Sequence, residues 1–156
     1  MTGLPTDPTT TAELLLRVDA GWAWFRDAVH KLDEDAWDDE VPGGGWTRRK
    51  MLNHIRVWHE ITTQRLSRFE ETGEQPPSPG DEDAINAQAA ADADLRTNDR
   101  ILRELDESFG RLRDEVARLR DDQLALLEGW PVGVVAGNTY GHYEDHRADV
   151  AAAVGE

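Results

Sequence analysis

Cysteine is absent from this 156-residue chain. Disulfides and side-chain thiolate chemistry are thereby excluded, and a metal ion has to be held by His, Asp or Glu. A chain without cysteine also suits the reducing cytosol. Basic residues are scarce: 17 Lys and Arg against 32 Asp and Glu leave a formal net charge of −15. Such a field repels phosphate backbones and anionic head groups, so the expected partners exclude nucleic acid and membrane. The only compact basic run, Arg48-Arg49-Lys50, reads as a solvated helix face. No apolar run is long enough to span a bilayer, and the first residues lack the basic-then-apolar order of a signal peptide. A soluble cytoplasmic protein is the expectation. Strand-like alternation and internal repeats are missing as well, which leaves helices.

Residues 1–8, with a glycine and two prolines, read as a flexible N-terminus, and 9–156 as one domain long enough to bury its own core. Leu14, Val18, Trp22, Phe25, Val29 and Leu32 step by three and four residues, which predicts helix 1 from about Thr11 to about Leu32. Thr47 is placed to cap helix 2, which extends to about Glu70 with two adjoining apolar stripes. A short alanine-rich helix is expected over 83–94. Helix 3 covers about Thr97 to Leu119, and Pro131 opens helix 4, which runs to about Val154. Gly133, Gly137 and Gly141 recur every four residues there, a pattern that suits close helix packing or a homodimer contact. The result is an all-α four-helix bundle. Its helix 2–helix 3 connection, of roughly 25 residues, is long enough for those two helices to lie parallel.

Five histidines are present: His30, His54, His59, His142 and His146. His142 and His146, four apart, share one helix face, a spacing that suits two ligands on one ion. His54 lies inside the apolar arc of helix 2, whereas His59 points about 140° away from it and His30 lies off its own stripe. Facing helices of a bundle are where such ligands converge, so His54, His142 and His146 are the candidate metal site. The blander reading of each alone is a hydrogen-bonded core histidine. On the bearing of the pair lie Asn138, Thr139 and Asp149, within about 60°, as candidates for substrate contacts or for hydrogen bonds that orient the ligands. Trp46 and Trp58 are candidate walls of an apolar pocket over the metal. Three imidazoles leave a coordination position open, where zinc, nickel or iron would activate water or a co-substrate thiol. Glu60, Glu144 and Asp145 are near in sequence but not well aimed, so no catalytic carboxylate is assigned.

The segment Gly45-Trp-Thr-Arg-Arg-Lys-Met-Leu-Asn-His54-Ile-Arg-Val-Trp-His-Glu60 resembles the helix 2 signature of the DinB/YfiT-like superfamily. Asp83-Ala-Ile-Asn86-Ala and Ala136-Gly-Asn-Thr-Tyr-Gly-His142-Tyr-Glu-Asp-His146 are similar to its ClbS/DfsB branch. The resemblance covers about Thr10 to Val154 and implies a DinB-like four-helix bundle. It carries the family's metal triad onto His54, His142 and His146, and adds Asn86 to the candidate substrate contacts. Activities it implies are transfer of low-molecular-weight thiols such as mycothiol, maleylpyruvate isomerisation, and hydrolysis of a strained cyclopropane in self-resistance. The leading expectation is a metal-dependent hydrolase or thiol transferase acting on a small electrophilic molecule. A non-catalytic protein that binds and sequesters such a molecule is the alternative.

Overall fold

The structure, a computed structural model, describes residues 6–155. The expected flexible stretch over 1–8 thus falls mostly outside the described residues; within it, Pro8 is buried. Among the described residues seven α-helices follow in order: α1 Thr11–His30, α2 Arg48–Thr72, α3 Glu82–Ala93, α4 Asn98–Ala117, α5 Trp130–Asn138, α6 Tyr140–Asp145 and α7 Arg147–Val154. Thr10, Thr47, Asp81 and Thr97 cap α1 to α4, each side-chain oxygen accepting from a backbone N–H of the first turn. Gly73, with φ of 72°, ends α2 in the left-handed conformation that glycine adopts without strain.

Pairings across the bundle fix the directions. Arg49 bonds Asn98, Arg56 meets Glu104 and His59 meets Ser108, so α2 and α4 run parallel. The long connection, with α3 inside it, allows this. Thr11 reaches Leu119, Asp19 pairs with Arg113 and Arg26 with Asp106, which makes α1 antiparallel to α4. Phe69 contacts Trp130 while Arg48 reaches the Asp149 carbonyl, so the last rod runs back along α2. The core between the rods is built from Leu14, Phe25, Leu52, Ile55, Leu66, Phe69, Ile101, Leu112 and Tyr143. The fold is an all-α four-helix bundle with α3 as an extra helix in the crossing.

The fourth rod differs from expectation, being broken twice instead of continuous. Thr139 has φ −125° and ψ −108°, and its hydroxyl donates to the Val135 carbonyl at 2.7 Å. Asn138 likewise donates to Val134 at 2.9 Å. Two side chains thus compete with the backbone for helix carbonyls, and the ladder yields. The break folds the Ala136 carbonyl over Gly141, where a Cβ would sit 2.7 Å from that oxygen. A second break at His146 (φ −100°, ψ 9°) separates α6 from α7.

The basic run at the head of α2 is also not a solvated face. Arg48 is buried and donates to the carbonyls of Asp149 and Ala36, tying α7 and the 3-10 turn at 34–38 to α2. Arg49 donates to Asp38 and to the Arg96 carbonyl. Two of the three glycines in the stripe lie in no close contact within the chain, since a Cβ at Gly133 or Gly137 would meet nothing within 4 Å, and the crowding at Gly141 comes from its own rod. The tight crossing is at Gly21, where a Cβ would come within 2.8 Å of Tyr140 Cβ. Gly21→Ala is therefore expected to force α1 and α6 apart. Overpacking of about 1–3 kcal/mol outweighs a helix-propensity gain of about 1 kcal/mol. Gly133→Ala has only the propensity gain and should raise the urea midpoint. Chemical denaturation of both variants reads the opposite signs.

Candidate metal centre

α2 supplies His54 and the broken rod supplies His142 and His146, so the double break decides where the last two rings sit. One ring nitrogen from each of the three lies within 4.8 Å of the others. His54 Nε2 and His142 Nε2 are 2.9 Å apart, and the ring centroids of His142 and His146 are 4.9 Å apart. Two nitrogens bound to one ion at tetrahedral angles stand about 3.3–3.4 Å apart, given bonds of 2.0–2.1 Å. Shifts of an ångström or less bring the set to that spacing.

Hydrogen bonds on the far side of two rings fix their orientation. His54 Nδ1 lies 2.9 Å from Asn86 Oδ1, and Trp58 Nε1 donates to the same oxygen at 2.8 Å. An amide oxygen only accepts, so His54 carries its proton on Nδ1 and turns the Nε2 lone pair toward the cluster. His146 Nδ1 is 2.8 Å from Asp149 Oδ2, which directs its other nitrogen inward in the same manner. His142 Nδ1 is buried with no partner among the described residues.

Burial, followed by the neighbouring His146, lowers the pKa of His54 to about 4, against the opposing pull of Asn86. Burial and then His54, His146 and His59 lower His142 to about 3. Both rings are neutral ligands at neutral pH, and the donor set fits a borderline divalent ion.

The three rings form the floor of a pocket of about 520 Å³. Trp46, which meets His54 edge-on at 5.0 Å, and Trp58 line it, as do Asn86 and Asn138. Thr139 is not among its lining residues; it is fully buried with its hydroxyl on Val135. Asn86 spends its carbonyl oxygen on His54 and Trp58. Asp145, assigned no role from its sequence position, also lines the pocket, as does Glu82.

His59 corrects the sequence reading. It is fully buried, with Nδ1 2.9 Å from Ser108 Oγ and Nε2 2.7 Å from the Tyr143 hydroxyl. The apolar stripes understate the buried arc of α2, because a polar face carrying Asn53, Arg56, His59 and Thr62 is covered too. His30, by contrast, is exposed as expected.

Burial, with Arg56 adding to it, lowers the pKa of His59 to about 3. The unfolded chain takes a proton on each of these imidazoles near pH 6.5, whereas the folded chain waits until about 3–4. Between those values the unfolded state binds more protons, so stability is complete above 6.5 and falls as pH drops. Each ring contributes up to about 1.4 kcal/mol per pH unit. Glu70 works in the opposite sense, because burial and the adjoining Glu115 raise it to about 7. Its protonated folded form gains stability as pH falls from 7 toward 4.5. The expected net result is a loss equivalent to about two protons between pH 6 and 4.5. Urea unfolding of metal-stripped protein across that range measures the slope.

The sequence model of the DinB superfamily matches residues 17–150. No curated protein matches the chain. The colibactin self-resistance protein ClbS, solved in complex with dsDNA, superposes with a TM-score of 0.78 at 13% identity, covering 94% of this chain and 96% of ClbS. The sibling lethal factor precursor DfsB gives 0.77 at 15% identity over 94% and 95% of the two chains. The mycothiol-dependent maleylpyruvate isomerase gives 0.74 at 18% identity, with 96% of this chain covering 63% of the isomerase. These likenesses establish the fold.

The ClbS complex also overturns the expectation that excluded nucleic acid. A net charge averages over the whole surface, but screening over about 8–10 Å makes duplex binding a matter of local charge. A charge of −15 therefore excludes nothing by itself. Among the described residues no helix is long and apolar enough to cross a membrane.

Proposed function

The chain belongs to the DinB superfamily, and from that premise we propose that it is a metal-dependent enzyme acting on a small electrophilic molecule held above His54, His142 and His146. The observation that carries this reading is the convergence of three imidazole nitrogens at the floor of an open pocket. A divalent ion on those nitrogens supplies Lewis acidity, which polarises an electrophile or makes water or a small thiol a better nucleophile. The chain's own groups do the rest. Asn86 and Asp149 hold the His54 and His146 rings in the ligating orientation, and Arg48 holds the start of α7 to α2. Trp46 and Trp58 offer flat apolar walls that bind the substrate and displace water from it.

Likeness to a mycothiol-dependent isomerase supports a low-molecular-weight thiol as the nucleophile, and likeness to a self-resistance protein supports a reactive substrate. The solved ClbS complex supports including duplex DNA among the partners tested. The sequestering alternative uses the same pocket without turnover.

Protein prepared without a histidine tag is expected to hold close to one equivalent of zinc, nickel or iron. It should consume more than one equivalent of a cyclopropyl ketone or an unsaturated ketone, with or without added thiol, and lose this after chelation. Recovery of one intact equivalent per chain would favour sequestration. Trace metal in the native protein and in a ligand variant alike would end the metal reading.

A further inference from the structure

Besides the three imidazoles the pocket is lined by two carboxylates, on exposed residues, and by no lysine or arginine. Glu82, in the first turn of α3, and Asp145, the last residue of α6, both line it, and neither has an ion-pair or hydrogen-bond partner among the described residues. Asp145 is placed against its own helix, since a carboxylate in the last turn opposes the helix dipole. The basic residues close to the ligands in sequence are engaged elsewhere. Arg48 is bound to the carbonyls of Asp149 and Ala36, while Arg147 meets Glu144 and lies over Trp24 at 4.1 Å.

Two of the pocket's side-chain donors are engaged: the Trp58 N–H is on Asn86, and the Asn138 amide donates one N–H to Val134. The carboxylate oxygens of Glu82 and Asp145 lie beside two indole surfaces. An ammonium or iminium group gains from both, by charge at the carboxylates and by cation–π attraction at the tryptophans. A carboxylate-bearing ligand meets two like charges and no lysine or arginine.

We infer that this pocket selects a flat, aromatic or conjugated electrophile that carries a cationic nitrogen, with Glu82 and Asp145 as the specificity residues. The inference rests on reading the pocket as the substrate site. It adds that the electrophilic end faces the histidines while the cationic end faces the two carboxylates. A dianionic keto acid is the wrong charge for these walls.

Three probes with one ring system and different charge test it: tryptamine, indole-3-acetamide and indole-3-acetate. Calorimetry on the metal-stripped full chain in low salt leaves the side chains alone to discriminate. Tryptamine is expected to bind about 10-fold tighter than indole-3-acetate, the worth of two partly screened charge contacts of about 0.7 kcal/mol each. In the Glu82→Gln/Asp145→Asn variant that preference should fall to about twofold or less. Gly137→Phe places a ring on the pocket wall at a position with open space, and should weaken all three probes without loss of fold.

Zinc titration of the same preparations separates this inference from the function it rests on. Discrimination without zinc binding would leave the charge selection standing and remove the metal. Zinc binding with equal probe affinities, with preference for the acetate, or with no probe bound would overturn the selection.

Discussion

In His142→Ala, affinity for zinc is expected to fall by more than about 100-fold, and turnover of any substrate with it. His142 Nε2 stands 2.9 Å from His54 Nε2, and its ring centroid is 4.9 Å from that of His146, so it is shared between the other two ligands. Without it two imidazoles remain, one from each of two rods, and neither alone holds an ion firmly. Loss of an outer hydrogen bond to a ligand costs about 10–100-fold in affinity, and loss of the ligand itself costs more. Asn86→Ala belongs in that lower range, because it frees the His54 ring to rotate and orphans the Trp58 N–H, yet removes no nitrogen from the cluster.

Stability should separate the two variants in the opposite sense. His142 Nδ1 is buried without a partner, so its removal from the metal-free chain relieves an unsatisfied group and shifts the melting temperature little. Asn86→Ala breaks two hydrogen bonds and should lower it. Competitive titration with a zinc indicator, alongside thermal melts in chelator, measures both. Equal zinc affinity in wild type and His142→Ala would remove the centre altogether.

Much of this was legible in the residues. Apolar steps of three and four delimit α1, α2 and α4, and threonine caps sit where the chain turns into helix. The length between α2 and α4 permits the parallel pairing that Arg49–Asn98 and His59–Ser108 display. The grouping of His54, His142 and His146 follows from one buried bearing and one spacing of four, both local properties.

What escaped is non-local. His59 looks outward from the apolar stripes, but those stripes record only the faces covered by apolar neighbours. α4 and α6 cover another face with Ser108 and Tyr143. The breaks at Thr139 and His146 arise from side chains taking backbone carbonyls or turning toward a carboxylate, a competition that periodicity does not register. Glu82 and Asp145 lie on different helices 63 positions apart in sequence, and only folding brings them to one pocket.

The buried hydrogen-bonded chain through His59 carries the largest stability effect outside the apolar core. Ser108 donates its hydroxyl to the Leu105 carbonyl at 3.0 Å, so toward His59 it accepts, and the imidazole must hold its proton on Nδ1. Nε2 is then an acceptor, and the Tyr143 hydroxyl donates to it. Every group has one role available, and no solvent reaches the ring, which packs edge-on to Trp22 at 5.8 Å and to Tyr143.

His59→Ala opens a cavity between α2, α4 and α6 and leaves the Tyr143 hydroxyl as a buried donor without acceptor. The expected cost is about 3–5 kcal/mol, combining a large-to-small core substitution with an orphaned polar group. Tyr143→Phe alone orphans only Nε2 and should cost about 1–3 kcal/mol. The double variant removes both partners together, so its cost should fall short of the sum by about 1–3 kcal/mol. Urea unfolding of the four proteins closes the cycle. Additive costs would mean that the imidazole and the phenol stabilise the bundle independently, and that their 2.7 Å contact contributes nothing.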